Sequence, residues 1–204
     1  MKRIECVLLL VVVLSYACAE VTVRDVGSSA GTEEMAFYRG DKEIAKKIRG
    51  KDGEIKTVGK VPDGIVKRYY KSGALLEEKD YKEGNAEGMS RVYFEDGTLS
   101  AENNFKNDKM DGICKEYYKS GNLLAEINYK DGKNEGISRM YYESGVLQEE
   151  LNFKDGKRDG KHTVYYKNGQ LKIEEYFEDG QSVDIKSYDE SGKVKQEKVR
   201  EVKD

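Results

Sequence analysis

The sequence predicts an all-β chain, an elongated antiparallel array of β-hairpins with 24 residues per repeat. Three observations carry that prediction. One register starts at Gly64 and returns at Gly88, Gly112, Gly136 and Gly160, so that GIVKRYYKSGALLEEKDYKEGNAE is followed by GMSRVYFEDGTLSAENNFKNDKMD and three further copies. In each copy a short run with adjacent aromatics meets Ser-Gly, Asp-Gly or Asn-Gly and is followed by a run that opens on Leu; such dipeptides between strand-like runs signal a hairpin. Finally, 15 Tyr and 5 Phe argue against a disordered chain, while 37% hydrophobic residues are too few for a large globular core. Thin packing, layer on neighbouring layer, is the remaining solution.

Residues 1–19 read as an export signal. Lys2 and Arg3 precede the apolar run VLLLVVVL, Val7 to Leu14, and then SYACAE. The run is shorter than the roughly 20 apolar residues of a permanent membrane-spanning helix. Two processing routes fit. Ala17 and Ala19 form an A-x-A site with cleavage before Glu20, whereas LSYAC makes Cys18 the lipidated first residue of a lipoprotein, with Tyr16 fitting that pattern poorly. Either route exports the chain to the periplasm, the cell surface or the medium. Cys6 leaves with the signal and Cys18 leaves or carries lipid, so Cys114 stands alone and no disulfide framework is expected.

Residues 20–40, with the small-polar stretch from Gly27 to Glu34, read as a linker. Residues 41–63, around IRGKDGEIKTVGK, read as a degenerate N-terminal copy and cap, and 64–182 hold the five full repeats. A truncated copy and tail over 183–204 keeps Tyr188, Gly192 and Val194. Atypical end copies are the expected caps of a repeat stack. Pro62, the only proline, suits a sheet edge, because proline cannot donate a ladder hydrogen bond.

A two-residue type I′ turn on Ser72-Gly73, and on equivalents such as Asp96-Gly97 and Asn168-Gly169, sets an expected register. Tyr70 then faces Leu75 and Lys67 faces Glu78; the same arithmetic pairs Arg91 with Glu102, Lys115 with Glu126 and Arg139 with Glu150, leaving Thr163 opposite Glu174. Opposite charges landing opposite each other support the register, each pair contributing roughly 0.2–1 kcal/mol. Because side chains alternate across a strand, Tyr70, Leu75 and Tyr81 are expected on one, packed face and Tyr69, Ile65 and the Lys/Glu pairs on the other. Strands about 4.8 Å apart give a ribbon on the order of 50 Å for five copies.

The recurring Gly, Tyr-Tyr/Phe, Gly-x-Leu, Glu and Tyr/Phe columns over Gly64 to Ser182 resemble the bacterial variant of the MORN repeat, which also occurs in proteins labelled as antitoxin components of toxin–antitoxin pairs. The copies depart from many eukaryotic MORN repeats in length and in having no Trp. The resemblance implies an elongated β scaffold that binds protein or lipid and is not a catalyst. An antitoxin or immunity role and a structural envelope lipoprotein are its rival implications.

The candidate binding stripe is the column Tyr69, Tyr93, Tyr117, Tyr141 and Tyr165, since tyrosine offers rigid amphipathic contact area; the plainer reading has these rings shielding the sheet. The column Glu78, Glu102, Glu126, Glu150 and Glu174 reads as the partner of Lys and Arg across the strands. No catalytic residue, metal ligand or cofactor is expected: there is one His, no phosphate loop, and the Asp-Gly-Lys turns lack the alternating oxygen ligands of a calcium loop. His162 and Cys114 share a slot with Val66, Ser90 and Ser138 and read as core substitutions. A formal charge of −3 gives no basic field for nucleic acid, so the expected partner is another protein, with membrane contact only through Cys18.

Overall fold

The computed structural model describes residues 20–29, 32–52 and 54–198, and the side chains of 25–29, 32 and 33 are not described. The expected signal and Cys18 lie outside the described residues. All regular elements are strands: β1 Val21–Ser29, β2 Thr32–Arg39, β3 Lys42–Arg49, β4 Ile55–Gly59, β5 Gly64–Tyr69, β6 Leu75–Lys82, β7 Asn85–Tyr93, β8 Leu99–Lys106, β9 Lys109–Met110, β10 Gly112–Tyr117, β11 Leu123–Lys130, β12 Lys133–Asn134, β13 Gly136–Tyr141, β14 Leu147–Lys154, β15 Lys157–Tyr165, β16 Leu171–Glu178, β17 Gln181–Tyr188 and β18 Val194–Lys198. From β5 onward the chain is a meander of antiparallel neighbours, with each repeat supplying one long hairpin and a second, tighter turn.

The two turns of each repeat differ from expectation. Gly73 donates its N–H to the Tyr70 carbonyl at 3.0 Å, and Tyr70 N–H bonds Ala74 O at 2.9 Å. The loop therefore holds three residues, with only Gly73 at positive φ (89°). This is a type I turn closed by a glycine bulge, and it replaces the type I′ turn expected on Asp96-Gly97 and Asn168-Gly169. The true two-residue turns with positive φ at both positions are Glu83-Gly84, Asn107-Asp108, Asp131-Gly132, Asp155-Gly156 and Asp179-Gly180.

The longer first loop moves Leu75 opposite Tyr69, not Tyr70, and the same correction gives Tyr93–Leu99, Tyr117–Leu123, Tyr141–Leu147 and Tyr165–Leu171. A bulge one residue later, at Leu76 and its equivalents, shifts the pairing back. The charge pairs consequently fall where the sequence places them: Lys67–Glu78, Arg91–Glu102, Lys115–Glu126 and Arg139–Glu150. Arg139 Nε sits 2.7 Å from Glu150, and Lys67 Nζ is 3.7 Å from Glu78.

Neighbouring repeats are joined by three further ladders. Tyr70 donates its hydroxyl to the Tyr93 carbonyl at 2.7 Å, and Tyr118, Tyr142 and Tyr166 do the same to Tyr141, Tyr165 and Tyr188 at 2.7, 2.8 and 2.9 Å. Phe94 is the one gap. Phe94→Tyr is expected to complete the ladder toward Tyr117 and raise stability by up to about 1 kcal/mol, read from the urea midpoint, whereas Tyr142→Phe loses a similar amount. In the tight turns, Gly132, Gly156 and Gly180 donate N–H bonds of 2.8, 3.0 and 2.8 Å to Met110, Asn134 and Arg158. Beside them, carboxylates of Asp63, Glu87, Asp111, Glu135 and Asp159 accept the N–H of Glu83, Asn107, Asp131, Asp155 and Asp179. Each acidic residue just before a repeat's first Gly thus ties down the next tight turn.

Residues 20–40 are not a linker. β1 and β2 pair from Val21–Arg39 to Ser29–Thr32, so the small-polar stretch supplies the ladder pairs Gly27–Glu34, Ser28–Glu33 and Ser29–Thr32 while Val23, Ala36 and Phe37 are buried. β1 runs parallel to β5, through Val21–Val66 and Val23–Arg68, and the sheet continues from β1 through β2 and β3 to β4. Pro62 lies in the four-residue link from β4 to β5 (residues 60–63), and β5 is not an edge; among the described residues the edges are β4 and β18. In a flat sheet β4 would stand about 19 Å from β5, so this short link requires the N-terminal strands to roll over. They form a cap on the inner face of the first two repeats. Phe37 meets Tyr81 edge-on at 5.3 Å, and Val23, Phe37, Ala45, Val61, Val66, Tyr81 and Ala86 make one buried cluster. Lys47, 2% exposed, reaches across to both oxygens of Asp108 at 2.6 Å.

Candidate functional site

Strand alternation gives the array two faces. On the outer face, Ile65, Met89, Ile113 and Ile137 stand 61%, 43%, 53% and 43% exposed. They form a row across the sheet, because each follows the first Gly of its repeat and lies opposite Asp80, Asn104, Asn128 or Asn152. Asn104 and Asn152 turn their amides onto the carbonyls of Ile113 and Lys161, at 2.6 and 2.9 Å, which leaves the aliphatic side chains standing proud. In the fifth repeat the apolar member changes strand: Lys161 lies opposite Tyr176, which is 47% exposed. The sequence showed Ile65 on this face but not the row, whose signal is the apolar residue after Gly at a 24-residue interval.

Two positions along the same strands comes the basic column, and two further on the column Tyr69, Tyr93, Tyr117, Tyr141 and Tyr165. Only Tyr69 is exposed, at 38%; the others are half-buried. Their hydroxyls face the carboxylate column: Tyr93 donates to Glu78 at 3.2 Å and Tyr117 to Glu102 at 2.9 Å. At the array's start Glu20 takes that place, accepting from Tyr69 and pairing with Lys67, both at 3.0 Å. Burial, with the neighbouring carboxylates, pushes the phenols of Tyr93, Tyr117 and Tyr141 up. The stripe therefore ties neighbouring repeats together through the hydroxyls of Tyr69, Tyr93 and Tyr117 while part of each ring stays at the surface.

The six segments 62–83, 86–107, 110–131, 134–155, 158–181 and 184–199 match the model of the MORN repeat variant family. The chain belongs to that family. No curated protein matches it significantly. The sixth match covers the truncated C-terminal copy, and the first starts at Pro62, so the MORN array takes in everything from β5 to β18 while the cap stands outside it.

The inner face of these MORN repeats carries the slot Val66, Ser90, Cys114, Ser138 and His162, every member buried. What Ser90, Ser138 and His162 do depends on the residue thirteen positions before each. Ser90 donates to Glu77 at 2.9 Å. Burial pushes the Glu77 carboxyl up, but Lys79, Arg68 and Ser90 outweigh that and hold it below its ordinary value. Ser138 Oγ is buried with no partner, because Ala125 stands in that position. Burial raises the Cys114 thiol, and Glu116 adds to the rise.

His162 is held between carboxylates of both flanking strands, Nε2 at 2.9 Å from Glu149 on β14 and Nδ1 at 3.1 Å from Glu175 on β16. Both ring nitrogens face carboxylates, an arrangement that favours the charged imidazolium, which can donate to both. The bond to Glu149 raises the His162 pKa above its ordinary value, burial opposes and Glu175 adds to the rise, while Glu149 itself is lowered. A raised histidine pKa contributes stability that is complete below the unfolded value of about 6.5 and is lost as pH climbs through the folded value. The urea midpoint is therefore expected to fall as pH rises from 6.5, by at most about 1.4 kcal/mol of stability per pH unit. His162→Gln should flatten that slope; a slope that survives the substitution assigns it to another group. Among the described residues no three His, Cys, Asp or Glu side chains are grouped to hold a metal ion.

Proposed function

We propose that the protein is an exported, non-enzymatic scaffold of the cell envelope whose outer face binds another protein. The observation that carries this reading is the row Ile65, Met89, Ile113 and Ile137, one exposed apolar residue per repeat with Asp80, Asn104 or Asn128 between neighbours, on the same face as the tyrosine column. Large apolar side chains are displayed to solvent at the same point of four successive repeats, where the fold itself needs only the inner face buried. Exposed apolar side chains aligned across successive repeats offer an interaction surface, and rigid aromatics further along the same face supply contact area at low entropic cost. MORN repeats belong to the class of modules associated with binding proteins or membranes, which agrees with this reading.

Export rests on the sequence of residues 1–19, with Cys18 either removed or lipidated. The test joins both parts. Cross-linking in intact cells with a photoreactive residue at Met89 should trap one defined envelope protein, and Ile113→Glu with Ile137→Glu should abolish the adduct without lowering the thermal midpoint. Mass measurement of the mature N-terminus distinguishes Glu20 from a lipidated Cys18. A cytoplasmic, unprocessed chain, or an adduct unaffected by both glutamates, would remove the reading.

A further inference from the structure

We infer that the cap carries a second binding site, in which an extended segment of a partner protein adds as a strand to β4 and sends side chains into the groove beneath it. β4 is hydrogen-bonded on one side only, to β3. Lys56, Thr57, Val58 and Gly59 are exposed, with Val58 at 52%, and no proline interrupts the strand. An unpaired edge of this kind is a template for another strand.

Next to that edge lies a groove of about 520 Å³. One wall is Arg49 and Ile55 from the cap; the other is Phe105, Lys109, Met110 and Gly132 from the second and third repeats. The alternation along β3 and β4 explains the first wall: Arg49 lies opposite Ile55 and Lys47 opposite Thr57, and Lys47 points inward to Asp108. A strand added beside β4 extends the cap layer over the array, so every second side chain enters the groove. There it meets apolar surface from Ile55, Phe105 and Met110.

The groove also selects for charge. Asp108, its acidic member, is already neutralised by Lys47. Arg49 and Lys109 both line the space and have no ion pair with another described residue. The occupant therefore carries an apolar residue at one inward position and Asp or Glu at the next inward position, in an extended segment. This site is separate from the outer face, and either reading stands without the other.

The test uses a fluorescein-labelled peptide in which threonine alternates with valine, glutamate and valine, titrated into the protein and followed by anisotropy and amide exchange. Saturable binding with slowed exchange confined to Ile55–Gly59 is expected. Ile55→Glu should weaken binding about tenfold or more, as loss of a groove anchor does. Arg49→Glu should transfer preference to the peptide with lysine in place of glutamate, a gain that misfolding cannot mimic. Absence of binding at millimolar peptide, protection elsewhere than β4, or no response to either substitution overturns the inference. So does β4 protection that grows with protein concentration in the absence of peptide, which would make a second copy of the chain the occupant.

Discussion

Asp108→Gly is expected to destabilise the protein by about 1–4 kcal/mol, even though glycine is the residue that the turn itself favours. Every other tight turn has Gly at this point, namely Gly84, Gly132, Gly156 and Gly180, all at positive φ. Asp108 occupies it at φ 63°, a conformation that costs an L-residue roughly 1–2 kcal/mol. Local energetics thus predict a gain from glycine. The opposing effect is larger. Among the described residues Asp108 is the only counter-charge on Lys47, which is 2% exposed, and it also accepts the N–H of Ala86 at 2.7 Å. Removing one member of a buried pair leaves an unpaired charge and costs about 3–5 kcal/mol. Adding Lys47→Met to Asp108→Gly should restore most of the loss, because the orphaned ammonium is gone and the apolar stem is kept. Urea unfolding of the three variants decides this; an Asp108→Gly protein as stable as the parent would mean that Lys47 finds water.

Phe37→Ala should cost about 3–5 kcal/mol, as for a buried aromatic, and its consequence should be local. Phe37 is fully buried, at 0% exposure, and is the cap's main contact with Tyr81. The repeats beyond the second are stabilised by their own neighbours. The variant is therefore expected to unfold in two steps, with β1–β4 exchanging amide hydrogens early and β10–β18 late. Phe153→Ala, at the position equivalent to Tyr81 two repeats beyond Phe105 and only half-buried, serves as the comparison and should cost less than half as much. A single cooperative transition in Phe37→Ala would show that cap and array fold as one unit.

Particular residues show what the sequence could convey. The repeats were legible because each pairs with its neighbour in sequence, so the period and the Lys–Glu alternation specify a local register. Lys67–Glu78 survived a wrong turn assignment because the extra loop residue and the later bulge cancel. Ser-Gly and Asp-Gly dipeptides serve both turn types, and only backbone angles separate them. The cap was not legible. Its strands lack the period, and β1 docks parallel to β5, a pairing that nothing local specifies. The Asp108–Lys47 pair did leave a signal, since NDK replaces the Gly-bearing turn in one repeat alone. The outer apolar row left one too, in the residue after each first Gly. The acidic column Asp63 to Asp159 was visible as a recurring residue, but its role depends on a turn one repeat away.

Each repeat is an interchangeable rung in one continuous ladder. Deleting residues 112–135 joins Asp111 to Gly136 and recreates the Asp-Gly step at the join. Small-angle X-ray scattering should then report a folded particle whose maximum dimension is shorter by about 10 Å, two strand spacings. An unfolded chain, or a folded one of unchanged length, would contradict it.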